Sequence, residues 1–180
     1  LVEHYIISSG LREIIEGTAI AKDFTHIYAS SFYYNEHGEP CWPAQVINYT
    51  NKTQFLFRIE KGILDINDNA VNDHFAEGEL RVPFRNIVYI GDSATDIPCM
   101  RLVNSLGGHS VGVYDLENTA SKDTVRRMIR DERIRYYVPA DYTKGSEMDI
   151  LIHRIIDKTA AYEVLEEKHL RDRKEAVSLK

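Results

Sequence analysis

Two carboxylates four residues apart, Asp92 and Asp96, follow an apolar run, Ile87 to Ile90, that Gly91 cuts short. Such a run ended by Gly-Asp predicts a buried strand, and in open α/β sheets ligands bind beyond the carboxyl ends of strands. Paired acids at that place, beside a helix start, suit Mg²⁺, which takes hard oxygen ligands. A plainer reading makes Asp92 part of a turn and Asp96 the cap of a helix beginning near Ile97.

Two other stretches have chemistry of a related kind. Tyr5-Ile6-Ile7 reads as a short strand ended by Ser8-Ser9-Gly10, with a helical pattern behind it that places Leu11, Ile14, Ile15, Thr18 and Ala19 on one face. That layout offers hydroxyls and backbone N–H groups to an anion, or simply caps the helix. Lys52 falls in the first turn of a predicted helix with Phe55, Leu56 and Ile59 on its apolar side, closed by Lys61-Gly62. A cation there stands at the wrong end of the dipole to stabilise its own helix. It shares its place with the N–H groups that attract anions, although an exposed surface lysine would look the same. Lys61, at the favourable end, is explained by structure.

The elements that must position these residues alternate in type. Thr25 to Tyr34 is a strand, Asn35 to Pro40 a turn, and Cys41 to Tyr49 a returning hairpin arm. Trp42 is expected to pack at a rim. Residues 65–85 carry two Asn-Asp pairs and read as a polar excursion with a short helix; the acids there do not make a calcium loop. Met100, Leu102, Val103 and Leu106 mark a helix ended by Gly107-Gly108. Ser110 to Tyr114 is a strand, Thr119 to Arg130 a helix and Ile134 to Val138 a last strand. Ser146 and Asp149 form a capping-box pattern for the final helix, and beyond Leu165 the chain is almost wholly charged. This order predicts an α/β fold, a largely parallel sheet with helices on both faces. Residues 1–165 form the core domain and 166–180 a charged helical extension or tail.

The chain has 180 residues, 43% of them hydrophobic and 28% charged, enough for one domain with a full core. A net charge of −6 speaks against a nucleic-acid partner. No run approaches the ~20 apolar residues of a membrane helix. Two cysteines, Cys41 and Cys99, make no disulfide framework, which suits the cytoplasm.

Taken together and in order, Tyr5-Ile6-Ile7-Ser8, Lys52 and Gly91-Asp92-Ser-Ala-Thr-Asp96 resemble the second, third and fourth motifs of haloacid dehalogenase (HAD) superfamily phosphohydrolases. The resemblance runs from residue 1 to about Lys158 and is nearest the phosphoserine-phosphatase-like branch, since no large cap fits between Ser8 and Lys52. The family's first motif, D-x-D-x-T, bears the nucleophilic Asp and is not found here. The resemblance therefore implies a Rossmann-like core from which the first strand, its nucleophile and a cap are absent. It also implies a Mg²⁺-dependent phosphatase acting on a small phosphorylated substrate through an aspartyl-phosphate. Asp92 would be a metal ligand, Asp96 would hold the ligand or a metal-bound water, Ser8, Ser9 and Gly10 would hold phosphate, and Lys52 would neutralise charge. The other class to consider is a catalytically inactive HAD-like binding or regulatory domain. Since the family's first strand lies between those ending at Ser8 and Gly91, the chain is expected to expose two inner edges. Its own N-terminal segment or a second copy would fill the space between them.

Overall fold

In the computed structural model, which describes residues 1–178, six strands form two three-stranded sheets. The first contains β1 (Tyr5–Leu11), β2 (His26–Tyr34) and β3 (Pro40–Gln45), in that order, with β1 and β2 parallel and β3 antiparallel to β2. The second contains β4 (Val88–Gly91), β5 (His109–Tyr114) and β6 (Tyr136–Pro139), all parallel. The chain is thus mixed α/β with a parallel β4–β6 sheet. Among the described residues no strand pairs with the free edge of β1 or with that of β4.

Side-chain alternation on the second sheet decides where the helices lie. Val88 and the β5 residues Val111 and Val113 point one way. There they meet Met148, Leu151 and Ile152 of the long last helix, α5 below. Tyr89 and Tyr114 point the other way and meet two helices, the first spanning Ile97–Ser105 and the second Thr119–Arg130. In chain order the helices are α1 (Arg12–Glu16), α2 (Thr53–Lys61), α3 (Ile97–Ser105), α4 (Thr119–Arg130) and α5 (Glu147–Ser178). The central strand β5 is buried throughout, as a strand covered on both faces must be.

Helix α2 joins the two halves. Its Phe55 and Ile59 pack with Tyr28 and Ile47 against the first sheet, while Leu56 belongs to the cluster under the second. Ile7 of β1 touches both clusters. Gly62 ends α2 in the left-handed conformation at φ 74°, open to glycine at little cost. Three side-chain donors then tie down the segment that follows. The buried Arg58 donates to the carbonyls of Asp65 (2.6 Å), Ile66 (2.8 Å) and Asp68 (3.1 Å), and Lys61 to those of Val71 (2.8 Å) and Asp73 (2.7 Å).

Three elements differ from expectation. Helix α1 is a single turn without a buried residue. Residues 69–72, 77–79 and 84–86 are 3₁₀ turns rather than one short helix. Helix α5 carries the charged extension onward as helix to Ser178, with Leu179 and Lys180 outside the described residues. No helix among the described residues is long and apolar enough to cross a membrane.

Candidate functional site

The end of β4 is shaped around Asp96. A Cβ on Gly91 would lie 2.7 Å from the Asp96 Cβ and 2.8 Å from its Cγ and Oδ2, so only glycine lets that carboxylate lie against the strand. After the exposed Asp92 the chain makes a 3₁₀ turn, Ala94–Asp96, which folds Asp96 back. Its Oδ2 accepts from the Ser93 N–H (3.3 Å) and the Ser93 hydroxyl (3.1 Å). Its Oδ1 accepts from the Tyr89 hydroxyl (3.0 Å) and from the Lys52 ammonium (2.7 Å). Lys52 and Asp96 are each only 7% exposed in their side chains and lie 44 residues apart. Lys52 immediately precedes α2 instead of standing in its first turn.

Asp96 stands at the N-cap position of α3, but its side chain makes no bond to that helix and instead closes a capping box with Ser93 on the preceding 3₁₀ turn. Four donors occupy its two oxygens, which suits it to positioning and not to direct metal ligation. Asp92 differs: it is exposed and has no hydrogen-bond or ion-pair partner among the described residues. It lies near Tyr142, whose phenol is raised first by burial and then by the Asp92 charge. An unengaged carboxylate at a strand end fits a Mg²⁺ ligand. It is one donor only, as no group of three or more His, Cys, Asp or Glu among the described residues is placed to hold a metal. Mg²⁺ commonly takes one or two carboxylates and completes its shell with water and phosphate oxygens.

At the carboxyl end of β1 the strand bulges. Ile7 pairs with Tyr28 and Leu11 with Ser30, so Ser8, Ser9 and Gly10 together stand opposite Ala29 alone. Such bulges re-aim side chains at strand ends. Ser9 and Gly10 are exposed and Ser8 half-buried, with the Gly10 N–H donating to Ser8 Oγ at 3.0 Å. That bond closes the segment on itself.

Contacts link this bulge to the Asp96 cluster. Ser30 donates from its hydroxyl to the Ser9 carbonyl (3.3 Å) and accepts from the Ile47 N–H (3.0 Å). Ile47 leads within five residues to Lys52, and Lys52 to Asp96. Ser30 thus ties the Ser8–Gly10 bulge to Ile47, five residues before Lys52, and Lys52 reaches Asp96 beyond the end of β4.

Tyr89, Ser93 and Ser30 take part in these contacts and were not marked by sequence. Ser93 could have been, since it stands three residues before an acid in a capping-box spacing. Cys99 is buried beside Tyr89; burial pushes its thiol up to about 11, so it packs as a small apolar residue. Tyr89 is raised further still, chiefly by burial, and donates its proton to Asp96 at all ordinary pH.

No family model matches the chain, and no solved structure matches it. A protein of Borreliella burgdorferi described as uncharacterized is 24% identical over 161 residues, which cover 82% of this chain and 55% of that protein. The chain spans little more than half the length of this relative.

Proposed function

We propose that the chain is the larger part of a Mg²⁺-dependent phosphomonoesterase of HAD type. One observation carries this reading: a buried 2.7 Å ion pair joins Lys52 to Asp96, four residues from Asp92, and on this reading the Ser8–Gly10 bulge faces the same rim. The motifs of the resemblance were matched only by order along the chain, and order alone does not require them to meet.

The free edges of β1 and β4, with α2 packed against both sheets, support it as well. A strand inserted there would pair both edges and bring its carboxyl end to the rim beside Lys52. On this reading a carboxylate from that strand attacks phosphorus, the ester P–O bond breaks, and the leaving oxygen takes a proton from a second acid of the same strand. Water then attacks the aspartyl-phosphate and releases inorganic phosphate. The Ser8 hydroxyl and Ser9 N–H hold phosphate oxygens. Lys52, kept in place by Asp96, lowers the cost of bringing two anions together. Mg²⁺, with Asp92 as its ligand from this chain, supplies further charge neutralisation. On this reading the strand is an N-terminal segment that carries D-x-D-x-T; a second copy, which lacks that motif, would fill the gap without supplying the nucleophile.

The test compares this chain with a longer polypeptide in which a D-x-D-x-T strand precedes it. The chain alone should not hydrolyse p-nitrophenyl phosphate. The longer protein should do so with Mg²⁺ only, and Asp92→Asn should abolish that activity with little loss of folding. An upstream sequence without D-x-D-x-T, or an inert longer protein that still binds phosphate, would favour the catalytically inactive domain instead.

A further inference from the structure

We infer that the groove along the outer edge of β6 receives a second copy of this chain about a two-fold axis, with the two α5 helices antiparallel. Strand β6 pairs with β5, and among the described residues no strand covers its other edge. A groove of about 520 Å³ lies there, lined by Ile129 of α4, Tyr137 and Val138 of β6, and Ile150 and Leu151 of α5. The two helices pack on opposite faces of the second sheet, so the groove crosses the sheet's edge. Ile150, 53% exposed, is apolar surface that the fold itself does not cover.

The groove side of α5 carries one stripe. Glu147, Ile150, Leu151 and Arg154 follow at i, i+3, i+4 and i+7, which puts them on one side of a helix. Met148 and Ile152 turn to the sheet instead and pack on its valines. Glu147 and Arg154 both line the groove and are exposed. Neither has an ion-pair or side-chain hydrogen-bond partner among the described residues, and about 10 Å of helix separates them.

Charge and symmetry select the occupant. Reading the stripe backwards exchanges its ends, acid for base, about an apolar middle. A second α5 laid antiparallel therefore brings Glu147 of each copy to Arg154 of the other and sets the apolar residues of both at the centre. A parallel arrangement would put like charges opposite each other. A two-fold interface requires a patch that is its own complement, and an apolar centre with charges at its rim is the ordinary anatomy of such a contact. Because β6 is the edge of its sheet opposite β4, this contact is separate from the β1 and β4 edges and does not rest on the phosphatase reading.

Light scattering of the full chain over a dilution series should show a mass that rises to twice that of the monomer. Ile150→Asp should raise the dissociation constant by about ten-fold or more. Glu147→Arg or Arg154→Glu alone should do the same, since by symmetry each sets like charges opposite at two places. The double reversal should return the constant to within about three-fold of the native value. An Arg at position 147 opposes the helix dipole in every variant that carries it, so recovery in the double variant reports pairing across the axis. A chain that stays monomeric at every concentration would leave the groove to another protein and overturn the inference. A dimer that either single reversal leaves intact would belong to the edges of β1 and β4 and overturn it too. Dissociation by the single reversals without recovery in the double variant would likewise refute the antiparallel pairing.

Discussion

Lys52→Met and Asp96→Leu remove the two halves of one buried pair, yet they leave different groups stranded. Taking one partner from a buried ion pair costs roughly 3–5 kcal/mol. After Lys52→Met, Asp96 keeps three donors, the Tyr89 hydroxyl and the Ser93 N–H and hydroxyl. The cost should fall at the lower end, about 3 kcal/mol. After Asp96→Leu, the buried Lys52 ammonium has lost its hydrogen-bond partner, and Tyr89 and Ser93 lose their acceptor too. That cost belongs at the upper end, about 5 kcal/mol.

The double variant removes both charges and should be more stable than Asp96→Leu alone, since apolar replacement of a whole buried pair is often neutral. Urea unfolding at constant m-value gives the three numbers. For a chain of this size Lys52→Met should lower Tm by about 6–12 °C, at 2–4 °C per kcal/mol. If Lys52→Met costs more than Asp96→Leu, or the two effects simply add, the pair is not the buried, coupled unit described here.

Gly91→Ala should act on the same cluster from below. Its Cβ would stand within 2.8 Å of Asp96 atoms, so overpacking should cost about 1–3 kcal/mol and weaken phosphate binding by calorimetry. Lys61→Ala should loosen residues 65–75 in hydrogen exchange, because two carbonyls lose their donor, while leaving the turnover of the longer protein nearly unchanged. Turnover lost with Lys61 and kept without Lys52 would move the phosphate-side lysine to Lys61. The imidazoles of His26 and His109 are both held below their ordinary range, first by burial and then by nearby Arg12 for His26 and Lys158 and Arg135 for His109. Below about pH 6.5 the unfolded chain therefore binds more protons than the folded one, so stability is full above that pH and falls as pH drops through the folded values. Tm should decline from pH 7.5 to 5.5, and the variant with both histidines changed to Asn should decline less.

What the sequence made legible followed from local signals. Helix α4 occupies Thr119–Arg130 as expected, because Asn118 caps it and Val125 and Met128 set its buried face. Gly62 ends α2 where Lys61-Gly62 predicted. Partners distant in the chain were less legible. Nothing in the spacing of Tyr89 tells that its hydroxyl serves Asp96, and the Asp92/Asp96 pair reads as two equivalent acids until their environments are seen. Only the fold separates them, burying one among four donors and leaving the other exposed. Trp42 misled for a related reason: apolar composition predicts burial, and an arm reaching past the sheet has nothing above it to pack on.

The electrostatics of the rim bear on why a cation would be needed at all. Of the rim groups, Lys52 is the buried cation, and Asp96 already neutralises it at 2.7 Å. Asp92 adds an uncompensated negative charge. A phosphate dianion arriving there meets neutral or negative surroundings, and an attacking carboxylate would add one more negative charge. Two serine donors orient an anion, but they do not offset the repulsion between a phosphate and an attacking carboxylate, about 4 kcal/mol for like unit charges roughly 4 Å apart at an effective dielectric near 20. On the proposed reading Lys52, whose charge is shared with Asp96, offsets part of that deficit, and a divalent cation at Asp92 meets the remainder. The same reasoning makes phosphate affinity a measure of the site: it should rise steeply with Mg²⁺ in the native chain and lose that dependence in Asp92→Asn. Phosphate bound equally well without the metal would place an additional cation on the rim and take Asp92 out of the chemistry.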